Sequence, residues 1–407
     1  AAGVAAGVRV LDLDRELVGG DVYHYSVTLA AGDTTSEPLR LHRVVRELAP
    51  WIARPTPRAA MLLHGDFSTF LSNFAPSLIS AAAPPPGGLA PYLAQRGIDV
   101  WGVDRRWSSL DTDAEPADLA DLADMGFAGA LDDTRRALRF ARAVRALTGA
   151  GTGRMALGGF SRGGHLAYAY AAAEAQQPWA QRQVSSLVPI DVYAEIAPED
   201  EALRQGACDR RDEERAAMAA GMYGSDNTFF SLAGALASEA PSDPSPLFEG
   251  YSNRDTLLIL VAQTALFFPA TPSYHLAGGT IVEDLPTSLR YTSEALVADW
   301  FASAPSYQAT AELADGDGLW CGDEPSPLRD HLGDIELPVF YLGAAGGFGD
   351  HGLYTTALVA SADVTTLVVR QLDEAREGED FGHGDLLYAA DARDLAWRPL
   401  ADWLQAH

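Results

Sequence analysis

The sequence predicts an α/β protein: a mostly parallel central sheet, helices on both faces, and one large helical insertion. Three observations predict it. Short apolar runs alternate with longer segments whose apolar residues recur at three and four. The alternation stops near residue 194 and resumes near 336. A serine bracketed by glycines lies where one apolar run meets a helical segment.

Taken in order, "VYHYSVTLAAGDTTSEPLRLHRVVREL" (22–48) reads as two strands around a turn at Gly32-Asp33. "RAAMLLHGD" (58–66) reads as a buried central strand ending in a glycine turn. A Pro/Gly loop (81–88) and a short helix lead to the strand in "GIDVWGVDRRW" (97–107). The periodicity predicts a long helix over 117–147, with "GAGTG" (149–153) as its stop. "GRMALGGFS" is strand and turn, "RGGHLAYAYAAAEA" a helix, and "VSSLVPIDVY" (184–193) another buried strand. Residues 194–335 read as helices and loops with no clear strand run. Strands return at "ELPVFYLGA" (336–344) and "DVTTLVVRQL" (363–372), and "ARDLAWRPLADWLQ" (392–405) is the last helix. The expected division is therefore core (1–193), helical cap (194–335) and core again (336–407). An insertion between two sheet strands sits over their C-terminal ends, where open α/β sheets bind ligands.

Composition excludes several functions. Of the 407 residues, 47% are hydrophobic and 21% charged, the balance of a soluble globular chain. A net charge of −27 repels phosphate backbones and anionic headgroups, so no nucleic acid is expected as a partner. All 29 basic residues are arginine, which excludes a Schiff-base, P-loop or Ser–Lys lysine. Cys208 and Cys321 have no metal-ligand spacing and could be one disulfide or two thiols. No metal or dinucleotide motif is present, and "DGDG" (315–318) reads as a turn, so no cofactor or metal is expected. The opening "AAGVAAGVRV" has neither a basic start nor a long apolar stretch. The longest apolar run, "TLLILVAQTALFFPA" (256–270), falls short of the roughly 18–20 residues of a spanning helix. It reads as a buried or cleft-lining helix. Compartment and oligomeric state stay open.

"Gly159-Phe160-Ser161-Arg162-Gly163" fits G-x-S-x-G between a strand and a helix. Such a turn strains the serine backbone, exposes its hydroxyl, and sets a helix N-terminus beneath it. Ser161 is thus the expected nucleophile. His165, fixed one helical turn away, is not expected to reach back as its base.

With "LLHGDFS" (62–68), "GIDVWGVDRRWS" (97–108), "LPVFYLGAAGGFGD" (337–350) and "GHGDLLYAADA" (382–392), the chain resembles the α/β-hydrolase superfamily. The spacing is most similar to capped esterases of the lysosomal/gastric acid lipase type. That resemblance implies His383, in the "GHGD" loop, as the base. The order Ser…acid…His then asks for an acid between them. Asp350 is expected to fill it, since the glycines of "GAAGGFGD" let a loop curl beneath the histidine; Asp191, ending "LVPID", is the alternative. Asp385 is expected to fix the histidine loop or cap the next helix, and His64 to orient its own loop. The oxyanion hole would use the N–H groups of Arg162 and Asp66. Their side chains are expected to pair across it. The chain departs from the family in carrying Phe160 where histidine is usual and Arg162 where an uncharged residue is common. The expected activity is ester hydrolysis, with an apolar acyl or alcohol group of a small-molecule ester under the cap. Acyl transfer on the same triad, or an inactive binding fold, are the alternatives.

Overall fold

The computed structural model describes residues 8–31, 38–110, 113–114 and 119–407. The turn expected at Gly32-Asp33 and the start of the helix expected from 117 lie outside the described residues. The main sheet opens with β1 (Val8–Gly19), β2 (Val22–Ala31) and β3 (Leu39–Ala49), all antiparallel, with β4 (Ile52–Ala53) folded onto β3. β5 (Ala59–Leu63), β6 (Asp99–Val103), β7 (Met155–Phe160) and β8 (Val184–Ile190) follow. Between β8 and the last two strands come β9 (Gly224–Asp226), β10 (Gly279–Val282), β11 (Leu285–Leu289) and β12 (Tyr307–Ala309). β13 (Val339–Ala344) and β14 (Val364–Val369) complete the sheet.

The strand order is β1-β2-β3-β6-β5-β7-β8-β13-β14. From β6 to β14 every pairing is parallel. Every residue of β5, β6, β7 and β13 is buried, as expected for strands covered on both faces. Flanking helices do the covering. Helix Arg162–Ala175 packs on β7 and β8, Leu89–Gln95 on β3 and β6, and Arg398–Ala406 on β13.

Four expectations need correction. The edge strand β1 was not expected, because its Val10, Leu11, Leu13 and Leu17 are exposed and pack into no core that would give them a face. The region 194–335 is not free of strands: β10 pairs with β11 and β9 with β12. Residues 315–318 are not a turn but part of helix Thr310–Cys321. Tertiary partners override the helix penalty of glycine there. A Cβ at Gly316 would collide with the Arg162 guanidinium, and one at Gly126 with Asp315. The apolar run 256–270 is also divided. Helix Asn253–Ala262 ends before Phe267 and Phe268, and no described helix is long and apolar enough to cross a membrane.

Cys208 and Cys321 are bonded, tying helix Glu201–Ala219 to helix Thr310–Cys321 across 113 residues of sequence. Closing a loop of that length removes much freedom from the unfolded chain. Cys208→Ser is expected to lower the free energy of unfolding by about 4–5 kcal/mol. Urea unfolding with and without reductant checks this: reductant should lower the wild-type midpoint and leave the variant unmoved.

Candidate active site

Four loops meet at the C-terminal ends of adjacent parallel strands: those after β5, β7 and β8, and the one following β14. Ser161 ends β7 and caps helix Arg162–Ala175 with φ 55° and ψ −127°. That conformation is costly for any residue with a Cβ. The surroundings enforce it. Ser161 N–H donates to Ile190 O at 2.9 Å, and its carbonyl accepts from Gly164 and His165 N–H at 2.8 and 3.1 Å. Side chains at Gly159 or Gly163 would collide with the Gly163 and Leu63 carbonyls, so the two arms of the turn admit only glycine.

His383 faces the turn from the loop after β14. It is 3% exposed and stacks on Phe160 with ring centroids 4.4 Å apart. This contact gives the Phe160 departure a structural role. His383 N–H donates to His275 O at 3.0 Å, and Gly384 N–H to Leu276 O at 2.6 Å. Asp385 accepts from Gly382 N–H at 2.8 Å, Gly278 N–H at 2.7 Å and Thr292 Oγ1 at 2.5 Å. Burial, the largest influence on it, pushes its carboxyl up to about 7. Asp385 thus fixes the histidine loop.

The acid beside His383 is Asp191, not Asp350. Asp191 Oδ2 lies 2.6 Å from His383 Nδ1. Asp191 is fully buried and accepts from Ala344 N–H at 2.8 Å and Phe348 N–H at 3.0 Å. Asp350 is exposed in the first turn of helix Gly349–Leu358 and pairs with Arg370 at 2.9 Å. The glycines that pointed to Asp350 serve Asp191 instead. A Cβ at Gly347 would strike its carboxylate. Asp350→Ala is accordingly expected to change kcat/KM on any substrate by less than about twofold, as for an exposed ion pair. A steady-state assay checks it.

The loop after β5 carries the other expected donor. Neither Asp66 N–H nor Arg162 N–H donates to a protein acceptor among the described residues. The expected side-chain pair is present: Arg162 Nε lies 3.3 Å from Asp66 Oδ2. Arg162 is 4% exposed, lies 4.5 Å over the Trp320 ring, and has Asp317 at 3.8 Å. Sequence reasoning missed Gln308, in β12. Its Nε2 donates to Asp66 Oδ1 at 2.6 Å while its Oε1 accepts from Phe67 N–H at 3.1 Å. Asn73 Oδ1 accepts from Gly65 N–H at 2.8 Å, and Trp300 Nε1 donates to Ser68 Oγ at 3.2 Å. The loop is thus held from both the sheet and the insertion. His64 packs behind it: its Nε2 accepts from Arg105 N–H at 3.1 Å, and burial above all lowers its pKa to about 3. His165 stacks on Trp320 at 4.9 Å, a buried neutral ring away from Asp191.

Ser161, His383, Asp66 and Arg162 line one cavity of about 220 Å³. Its remaining wall comes largely from the insertion, including Arg210, Asn227, Phe267, Phe268 and Trp300. A hydroxyl on a helix N-terminus, an imidazole oriented by a buried carboxylate, and two unused N–H groups are the parts of acyl-transfer chemistry.

No family model matches the chain, and no curated protein does. Solved structures do. A candidate lipase from Sulfolobus solfataricus superposes with a TM-score of 0.65 at 14% identity, over 99% of each chain. A soluble variant of monoglyceride lipase from Saccharomyces cerevisiae, in complex with a substrate analog, gives 0.51 at 10% identity over 98% of this chain and 96% of that one. Together with the strand order and the strand-end loops, these likenesses establish the fold: the chain has the α/β-hydrolase architecture.

Proposed function

We propose that the chain is a serine hydrolase of carboxylic esters, with residues 194–335 as its cap. The observation that carries this reading is His383, held by buried Asp191, sharing a cavity with a serine on a strained turn. Ser161 Oγ attacks the ester carbonyl, and His383 Nε2 takes its proton. Asp191 holds Nδ1–H and stabilises the imidazolium. The Asp66 and Arg162 N–H groups receive the developing oxyanion, helped by the helix beneath Arg162. His383 then protonates the leaving alcohol, and water, activated by the same ring, hydrolyses the acyl-enzyme. The aromatic wall at Phe67, Phe267, Phe268 and Trp300 suits an apolar acyl or alcohol group.

A fluorophosphonate probe tests this reading. One adduct, on Ser161, is expected; a protein that stays unlabelled while folded contradicts it. Gln308→Ala removes the hydrogen bonds to Asp66 and Phe67 and leaves Trp300 on Ser68. It is expected to lower kcat about tenfold with little change in KM, less than the 10²- to 10³-fold typical of deleting an oxyanion donor. p-Nitrophenyl butyrate kinetics read this out.

A further inference from the structure

The cavity has two unlike sides. One is aromatic. The other is formed by insertion residues Arg210, Glu214, Asn227 and Asp317. Asn227 is 5% exposed and fixed through its N–H to Ser306 O at 2.9 Å. Its buried Nδ2 has no hydrogen-bond partner among the described residues, and neither has the buried Oε2 of Glu214. Buried donors and acceptors are normally paired, so two orphans in one cavity wall point to a ligand group.

The charges say what kind. Arg210 gives both its Nε and Nη2 to Asp317, at 3.1 and 3.0 Å. Arg162 is paired with Asp66. Two cations and two anions cancel; Arg162 Nη1 has no hydrogen-bond partner among the described residues, but it lies against Gly316 of helix Thr310–Cys321, so a carboxylate or phosphate meets no free guanidinium edge here. Glu214 has no arginine partner, and burial, then Asp317, pushes its carboxyl up to about 8. Its charged form is therefore disfavoured, which makes it a poor counter-ion for an ammonium group. An alkyl group would leave both orphans unmet. A hydroxyl donates and accepts, and adjacent hydroxyls can meet both.

We propose that Asn227 and Glu214 form a subsite for a neutral polyhydroxy group, so that one half of the substrate ester is a polyol or sugar and the other half lies on the aromatic wall. This rests on the ester-hydrolase reading. Three esters test it: 1-butyrylglycerol and methyl 3,4-dihydroxybutyrate, with hydroxyls on the alcohol or the acyl half, and methyl butyrate with none. For the wild type, kcat/KM for one hydroxylated ester should exceed that for methyl butyrate by about tenfold or more. The preferred ester shows which half is seated. In Asn227→Leu and Glu214→Leu that ratio should fall at least about fivefold. A wild-type ratio of one or less for both hydroxylated esters overturns the proposal, as does a ratio that neither leucine variant moves. If no ester is cleaved, the hydrolase reading fails on its own. Calorimetry with two uncleavable ethers then decides the subsite. Tighter binding of 1-O-hexylglycerol than of hexyl methyl ether upholds it, and equal binding overturns it.

Discussion

Replacing Ser161 by alanine is expected to lower kcat on p-nitrophenyl butyrate by about 10⁶-fold, the loss typical when a triad nucleophile is removed. The turn should survive the change. Alanine carries the same Cβ into φ 55°, so the strain is unchanged, and the backbone bonds to Ile190, Gly164 and His165 involve no hydroxyl. Urea unfolding should therefore show stability within about 0.5 kcal/mol of the wild type. Ser161→Gly separates strain from chemistry. It should be equally inactive yet more stable by about 1 kcal/mol or more, since glycine adopts this conformation freely. Wild-type rates in the alanine variant would overturn the nucleophile assignment.

Asp191→Asn is the second large effect, expected at about 10⁴-fold in kcat with KM little changed. The amide keeps the shape of the carboxylate. Its oxygen can still accept from Ala344 N–H at the Oδ1 position, while its NH₂, at the Oδ2 position, faces His383 Nδ1 and leaves Phe348 N–H without an acceptor. The ring must turn that nitrogen into an acceptor and carry its proton on Nε2, the wrong tautomer for a base facing Ser161. Asp191→Ala should be worse for the fold, because two buried N–H groups and an imidazole lose their partner together. Full activity in Asp191→Asn would return the acid's role to another residue.

Much of this was legible in the sequence, for reasons that differ by residue. Ser161 announces itself because the steric demands of its turn are met by neighbours two positions away. His383 is readable from its glycine loop. Its carboxylate partner is not, because chain order admits both Asp191 and Asp350 and only the fold sets Asp191 beside it. Gly346-Gly347 lies beside the true partner, which belongs to another strand end. Gln308, Asn227 and Glu214 leave no local signal. Each is an isolated polar residue in an insertion whose helices and short strands give no period relating them to the sheet. The disulfide was likewise undecidable, since nothing local links two cysteines 113 residues apart. The Arg162–Asp66 pair was foreseeable, because both positions are fixed by the turn each follows.

The brace on the loop after β5 bears on how this chain could be re-engineered. Asp66 is gripped by Arg162 from the sheet side and by Gln308 from the insertion, and Arg162 in turn lies against Trp320 and Asp317. The insertion is therefore not an interchangeable module. Transplanting a different one would have to carry positions 66, 162, 308, 317 and 320 as a matched set, and trimming it away would also strip the histidine loop of its bonds to His275, Leu276 and Gly278.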